Sequence, residues 1–217
     1  MSETQLQKIT GYVMPVGNGA VGKTSLALTL QHDELPEDWK KFLNRVRKTK
    51  NMEFQYVTDQ LSTPRAQFQV LQQYLIPPGQ KEFEVDPRSR SYAQVMQIYQ
   101  ALIRRIDVVL LSYKITRLET FHDLEYWVEK VSEVCSSQTN FILVGTHLDQ
   151  KGLREVMPES IQTGKEYLIE LMKGLKSNWK GHCSSIEVSN LNGQNISHLR
   201  TLISQGLILA GGHSLNK

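Results

Sequence analysis

The sequence predicts an α/β protein of three layers, in which helices cover both faces of a doubly wound, mostly parallel sheet of six strands. Short apolar runs alternate along the chain with longer stretches of helical spacing, as is typical of this fold class. Residues 108–111 are apolar at every position, which favours a central parallel strand that is buried on both faces. A glycine-rich turn joins the first predicted strand to the first predicted helix.

The strands follow from continuous or alternating apolar runs, and the helices from apolar residues at steps of three and four. The six predicted strands cover residues 9–14, 52–57, 67–76, 107–113, 141–145 and 186–189. The predicted helices cover residues 23–32, about 36–50, 89–104, 121–135, 161–175 and 196–209. In the fourth of these helices, Leu124, Val128 and Val131 recur at helical spacing up to Cys135, which predicts an amphipathic helix.

Length and composition favour a single domain over residues 1–217 with an ordinary buried core. The chain has 217 residues, of which 40% are hydrophobic and 22% are charged, and these fractions exclude wholesale disorder. Its net charge of +3 is too small to favour a nucleic-acid partner. No apolar run of the sequence is long enough to span a bilayer.

The cysteine content and the two chain ends bear on location. Cys135 and Cys183 are the only cysteines, which favours a reducing compartment, and we expect a cytoplasmic protein. The first residues have no signal-peptide pattern, Ser2 stands where myristoylation needs glycine, and the last four residues contain no prenylation cysteine. We therefore expect no attachment to a membrane through a lipid.

A phosphate-binding loop is predicted between the first strand and the first helix. Residues 17–24 read G-N-G-A-V-G-K-T and fit the pattern G-x-x-x-x-G-K-[ST] completely. The glycines let successive backbone N–H groups point at an anion, and the helix that follows adds the positive end of its dipole. Lys23 is expected at the β- and γ-phosphates and Thr24 at Mg²⁺. The predicted phosphate contacts are Gly17, Asn18, Gly19, Ala20, Val21, Gly22, Lys23, Thr24 and Ser25.

The phosphate loop does not choose between ATP and GTP, but the residues after the fifth predicted strand favour guanine. That strand runs directly into residues 146–149, which read T-H-L-D, at the edge where such sheets bind ligands. The Asp149 carboxylate can accept hydrogen bonds from N1–H and the 2-amino group of guanine, a donor pair that adenine lacks. Residues 189–191 follow the next strand, where a backbone N–H can reach O6 of guanine.

With these motifs, about residues 8–210 of the chain resemble the Ras-like small GTPases. The resemblance implies a P-loop NTPase fold in which the second strand is antiparallel. It also implies a molecular switch that binds GTP or GDP with Mg²⁺ and hydrolyses GTP slowly without an activating partner. The family's base motif is N-K-x-D or T-K-x-D, and here His147 replaces the lysine that covers the guanine face, so we expect weaker selectivity. The predicted base contacts are Thr146, His147, Asp149, Ser189, Asn190 and Leu191.

Switch I of this family contains a threonine that binds Mg²⁺ and whose position depends on the γ-phosphate. The letters T-K-N-M-E-F from Thr49 onward resemble the family's T-I-G-x-x-F, so Thr49 and Thr24 are the predicted metal contacts. Thr58 and Thr63 are alternatives to Thr49. Because Thr24 and Thr49 are far apart for a small GTPase, switch I is predicted to be enlarged, over about residues 34–51.

The predicted helix at about residues 36–50 combines apolar residues with a cluster of basic ones. The basic residues are Lys40, Lys41, Arg45, Arg47, Lys48 and Lys50. A basic amphipathic helix can contact an acidic partner or a membrane surface. The alternative is that its apolar side packs on the protein's own core while the lysines remain in water.

Switch II is predicted over about residues 77–105 and departs from the family's pattern D-x-x-G-Q. The third strand ends in I-P-P-G-Q, so that Ile76 takes the place of the aspartate. This P-G-Q form looks like that of the bacterial gliding-motility GTPases, the MglA-type branch. The resemblance implies that Gly79 gives an N–H to the γ-phosphate and Gln80 orients the attacking water. Asp86 is a weaker candidate for the acid on the metal side. The sequence does not identify which acid replaces the missing aspartate. The predicted catalytic residues are Gln80, Gly79 and Lys23.

The resemblance also implies partners, namely protein effectors and a GTPase-activating protein, and a chain that is a monomer or a weak dimer. Ile76 and His147 leave open a second function, a GTP- or GDP-binding scaffold with little or no hydrolysis. An ATP-using P-loop kinase is a third interpretation, which Asp149 disfavours.

Overall fold

The computed structural model describes residues 6–47, 49, 52–64, 66–78 and 105–211, together with the backbone of 213–214. Most of the predicted switch II, including Gly79, Gln80, Asp86 and the predicted helix 89–104, lies outside the described residues.

The described residues form a mixed sheet with the strand order β2-β3-β1-β4-β5-β6. Its strands are β1 (Leu6–Val16), β2 (Glu53–Ser62), β3 (Gln67–Ile76), β4 (Ile106–Lys114), β5 (Cys135–Thr146) and β6 (Cys183–Glu187). β2 pairs with β3 in antiparallel fashion, and the other neighbours are parallel. This topology confirms the predicted α/β fold with an antiparallel second strand. A two-residue strand that the sequence did not predict, β7 (His213–Ser214), pairs with β1.

Helices cover both faces of this sheet. They are α1 (Lys23–Thr29), α2 (Trp39–Leu43), α3 (Leu118–His122), α4 (Leu124–Ser132), α5 (Pro158–Leu175) and α6 (Ile196–Leu209), with a 3-10 helix at Leu148–Leu153. Within the described ranges, none of these helices is both long and apolar enough to cross a membrane.

The central strand β4 shows why the protein has three layers. Its residues are buried on both faces, and successive side chains of a strand point to opposite faces. Val109 and Leu111 pack in the cluster that contains residues of α4 and α5, whereas Val108 and Leu110 pack in the cluster that contains residues of α1 and α6. The continuous apolar run is therefore shared between two cores.

Two predicted helices differ from the structure. The predicted helix 121–135 is two helices, α3 and α4, that meet at Asp123, and Cys135 belongs to β5, where it pairs with Ile106. A cysteine four positions after Val131 fits helical spacing, but it equally fits the first buried position of the following strand. The sequence pattern alone therefore placed this boundary wrongly.

The predicted basic helix at about residues 36–50 is also wrong in extent, because α2 covers only Trp39–Leu43. Trp39 is buried while Phe42 is 43% exposed, so the apolar residues do not form one continuous buried side. Residues 44–45 form a turn after α2, and Thr49 lies beside the phosphate loop. The described residues of this segment therefore do not form the long amphipathic helix from which membrane contact is predicted.

Candidate functional site

A cavity of about 560 Å³ lies where β1, β5 and β6 end, at the carboxyl edge of the sheet. Its volume is within the range of sites for small organic ligands. The predicted site residues that line it are Gly19, Ala20, Gly22, Lys23, Thr24, Ser25, Thr49, His147, Asp149, Asn190 and Leu191. The fold thus brings the phosphate loop, the switch I threonine and both base segments to one place.

The phosphate loop begins where β1 meets β4. Gly17 has φ of 141°, and a Cβ atom added to it would lie 2.1 Å from the backbone oxygen of Ser112. Gly22, just before α1, has φ of 92°. Both values lie in the region that residues with a side chain rarely adopt. The loop therefore depends on glycine at positions 17 and 22.

We expect Gly17→Ala to lower the free energy of unfolding by about 3 kcal/mol, because the new methyl group meets a backbone oxygen that cannot rotate away. For a chain of this size, that loss lowers the midpoint of thermal unfolding by roughly 6–12 °C. Gly152→Ala is the matched control, since a Cβ atom there meets no atom within 4 Å. Equal midpoints for the two variants, measured by calorimetry, would contradict this account of the loop.

Lys23 is the buried cation of the site. Its Nζ donates hydrogen bonds to the oxygens of Gly17, at 2.7 Å, and Asn18, at 2.8 Å. Burial lowers the pKa of Lys23 from 10.5 to about 7. Among the described residues its hydrogen-bond partners are neutral carbonyls. An anionic phosphate would supply the negative charge that favours the ammonium form.

The two predicted metal contacts lie together. The Oγ1 atoms of Thr24 and Thr49 are 2.5 Å apart, and Thr49 is buried. The alternatives lie elsewhere, since Thr58 is exposed on β2 and Thr63 bonds Ala66 in the turn between β2 and β3. Hydroxyl oxygens beside a phosphate site suit Mg²⁺, which takes oxygen ligands. In the described part of the chain, no group of three or more histidine, cysteine or carboxylate residues is arranged to hold a metal ion.

Asp149 is held in place by Ser189. The Ser189 hydroxyl donates to Asp149 Oδ1 at 2.6 Å and accepts the backbone N–H groups of Leu191 and Asn192. This network fixes one carboxylate oxygen, and no partner of Oδ2 is seen among the described residues. A fixed carboxylate with a free oxygen at the cavity wall can accept hydrogen bonds from a ligand with adjacent donors.

His147 lines the cavity in the left-handed backbone region, with φ of 66°. Burial, together with the charge of Lys114, lowers the pKa of His147 below 6.5, although Asp149 opposes the shift. The lowered pKa favours the neutral ring, which offers an aromatic surface rather than a cation. The preceding Thr146 donates to the oxygen of Val21 at 2.7 Å, which ties the end of β5 to the phosphate loop.

The remaining predicted residues support the cavity without lining it. They are Gly17, Asn18, Val21, Thr146 and Ser189. Asn18 joins the phosphate loop to the start of α4, because its Nδ2 donates to Asp123 at 2.5 Å and its Oδ1 accepts from Trp127 Nε1 at 2.7 Å. Gly79 and Gln80 lie outside the described residues.

Sequence reasoning missed one wall of the cavity. That wall consists of Lys40, Leu43, Asn44, Val46 and Arg47, with Gln150 from the 3-10 helix. Lys40 and Arg47 add positive charge to a site that already contains Lys23. The cluster of basic residues is the available signal, but its pattern predicts a helix whose charged side faces outward. Only the fold shows that part of the cluster contributes to the cavity.

The sequence is similar to one protein family and to several curated proteins. A sequence model of the Ras family matches residues 12–201. The proteins called Ras-related protein Rab-12 from Mus musculus and Rattus norvegicus are each 27% identical over 155 residues, which is 71% of this chain and 53% of the relative. The Homo sapiens protein of that name is 27% identical over 144 residues, 66% of this chain and 50% of the relative. The chain spans about half the length of these curated relatives.

Proposed function

The chain belongs to the Ras family, and we propose that it is a small GTPase switch that binds GTP or GDP with Mg²⁺ and slowly hydrolyses GTP. The observation that carries this proposal is that one cavity is lined by Lys23, by the paired threonines and by Asp149. Its two ends are suited to different parts of one ligand, since one is cationic and the other contains a fixed carboxylate.

Binding of the nucleotide rests on complementary charge and hydrogen bonding. The backbone N–H groups of residues 19–24 and the Lys23 ammonium hold the β- and γ-phosphates. Asp149, oriented by Ser189, accepts hydrogen bonds from N1–H and the 2-amino group of guanine. The neutral ring of His147 covers the base in place of the lysine that the family usually has. Thr146 supports this segment through its bond to Val21.

The hydroxyl groups of Thr24 and Thr49 lie side by side at the phosphate loop, and their two oxygens would hold Mg²⁺ in place of the hydrogen bond of 2.5 Å that joins them. When bound, the ion neutralises charge on the β- and γ-phosphate oxygens. Ile76, where the family has an aspartate, is fully buried at the end of β3 and offers no oxygen ligand from its side chain.

In the proposed hydrolysis, the oxygen of a water molecule bonds to the γ-phosphorus while the bond from that phosphorus to the β–γ bridging oxygen breaks. The products are GDP and inorganic phosphate. Gln80 orients the water, the N–H of Gly79 binds the γ-phosphate, and Lys23 balances charge on the leaving oxygen. Hydrolysis without a partner is slow, and a GTPase-activating protein accelerates it.

The proposal extends to partners and location. Protein effectors bind through switch I and switch II, whose order depends on the γ-phosphate. The chain acts as a monomer or weak dimer in the cytoplasm, where Cys135 and Cys183 remain reduced.

We expect Thr49→Ala to weaken the affinity for Mg²⁺ about tenfold in the complex with a non-hydrolysable GTP analogue, because one oxygen ligand is lost. Thr58→Ala, which removes an exposed hydroxyl on β2, should leave this affinity unchanged. The measurement is the Mg²⁺ dependence of analogue release. If Thr58→Ala weakened the affinity for Mg²⁺ and Thr49→Ala did not, the assignment of the metal contact to Thr49 would be wrong.

GTP turnover by the purified protein tests the catalytic part of the proposal. Gln80→Ala should lower the turnover rate by about 10- to 100-fold with GTP affinity retained, since only the attacking water loses its orientation. Gln67→Ala, an exposed glutamine at the opposite end of β3, is the matched control. Turnover that Gln80→Ala leaves unchanged removes the role of this glutamine. If the protein binds GTP tightly and shows no turnover even when a GTPase-activating protein is added, the result favours the alternative function, a nucleotide-binding scaffold.

A further inference from the structure

The chain between α1 and Thr49 crosses the nucleotide cavity, and residues 30–47 are here called the crossing segment. Arg200 of α6 fixes its beginning. One guanidinium nitrogen of Arg200 donates to the oxygens of Leu30, at 2.7 Å, and His32, at 2.8 Å, while another forms an ion pair with Asp33. The first part of the segment is thereby attached to the body of the fold.

Trp39 attaches the middle of the crossing segment to a different element. Its ring is 4% exposed, and its Nε1 donates to the backbone oxygen of Asn190 at 2.7 Å. The ring also packs edge-on against His32 and stacks on Phe42, each with centroids 5.0 Å apart. Because 151 positions separate Trp39 from Asn190, this is a tertiary contact and not a local turn.

Asn190 belongs to the base loop, residues 188–191, and connects three parts of the site. Its backbone oxygen accepts from Trp39, and its Nδ2 donates to the oxygen of Gly22 at 3.2 Å. The preceding residue, Ser189, orients Asp149. The contact of Trp39 therefore reaches the same loop that positions the proposed guanine carboxylate.

The part of the crossing segment that follows Trp39 forms a wall of the cavity, through Lys40, Leu43 and Arg47 among others. Trp39 itself does not line the cavity. A ligand enclosed by this wall can leave or enter more easily when the wall moves away from the base loop. At the base end of the cavity, the hydrogen bond from the Trp39 indole to Asn190 joins this wall to the base loop.

We propose that Trp39 is a positioning residue that latches the crossing segment onto the base loop and so limits the rates at which guanine nucleotide enters and leaves. The proposal rests on the proposed function of the site. Trp39 acts through the position of the wall and touches neither base nor phosphate. Weakening the latch therefore accelerates exchange in both directions, whereas loss of a direct nucleotide contact accelerates dissociation alone.

The test is Trp39→Phe, which keeps an aromatic ring and removes the indole N–H. Stopped-flow traces of a GDP derivative with a methylanthraniloyl group, excited directly, give the association and dissociation rate constants. We expect both to rise about threefold to tenfold, in line with the loss of one buried hydrogen bond, and the dissociation constant to stay within about twofold.

Trp179→Phe is the matched control, because Trp179 is also buried and its Nε1 donates to the oxygen of Thr139 at 2.8 Å, away from the cavity. It should lower thermal stability about as much as Trp39→Phe and leave both rate constants unchanged. The latch would be overturned if both variants accelerated exchange equally. It would also be overturned if Trp39→Phe raised only the dissociation rate constant or left both rate constants unchanged. A wild-type protein that binds no guanine nucleotide would overturn the proposed function and the latch with it.

Discussion

Asp149→Asn should lower the affinity for GDP by about 100-fold or more and raise the affinity for xanthosine diphosphate. In the proposed complex the carboxylate accepts two hydrogen bonds from guanine, and each would be worth about 1.5–3 kcal/mol because the acceptor is charged. An asparagine amide presents its NH₂ to one of these donors, so that one bond is lost and two donors oppose each other. Xanthine carries an oxygen at C2, which can accept from that NH₂ group.

Asp59→Asn is the matched control for this change. Asp59 accepts from the Ser204 hydroxyl at 2.6 Å, just as Asp149 accepts from Ser189, but it lies on β2 against α6 and outside the cavity. Titration calorimetry with GDP, ADP and xanthosine diphosphate measures both variants. An unchanged preference for GDP in Asp149→Asn, or an equal change in Asp59→Asn, would contradict the role of Asp149 in base recognition.

Lys23→Met should lower the affinity for GDP and GTP on the order of 1,000-fold, which corresponds to about 4 kcal/mol. The ammonium is buried, and its attraction for phosphate oxygens is screened less there than in water. Methionine keeps most of the side-chain volume, so the loss reports charge and not packing. Burial lowers the pKa of Lys23, so its removal relieves a desolvation cost, but the oxygens of Gly17 and Asn18 lose a donor. Because these effects oppose each other, we expect the nucleotide-free variant to differ little in stability from the wild type.

Lys176→Met is the comparison for Lys23→Met. Lys176 also donates to a backbone oxygen, that of Cys135, but at the start of β5, whereas the cavity lies beyond the end of this strand. Equilibrium binding of GDP and thermal unfolding without nucleotide are measured for both variants. Comparable losses of GDP affinity would show that removal of any partly buried lysine weakens binding, and the assigned role of Lys23 would then fail.

The parts of the site that the sequence predicted are those made by short stretches of chain. The phosphate loop is set by residues 17–24, and the positive φ values at Gly17 and Gly22 follow from glycine at those positions. Asp149 stands three residues after the end of β5, so its place near the carboxyl edge follows from the parallel sheet. In both cases the spacing along the chain fixes the position in space.

The parts that the sequence left open depend on distant contacts. The sequence offers three threonines for switch I, and the fold alone shows that Thr49 lies within hydrogen-bond distance of Thr24. The length of α2 was overestimated because helical spacing continues to Val46, whereas the segment is held by the contact of Trp39 with Asn190. Amphipathic spacing describes one helix against one surface and cannot indicate that a tryptophan is anchored to a loop 151 positions away.

The identity of the bound nucleotide tests the central claim most directly. The protein is purified with Mg²⁺ throughout and denatured in acid, and the released nucleotide is identified and quantified by chromatography. We predict roughly one GDP or GTP per chain, with little or no adenine nucleotide, since the proposed site binds phosphates at the loop and guanine at Asp149. Stoichiometric ATP or ADP, or a chain without nucleotide that also fails to bind added GDP, would contradict the account.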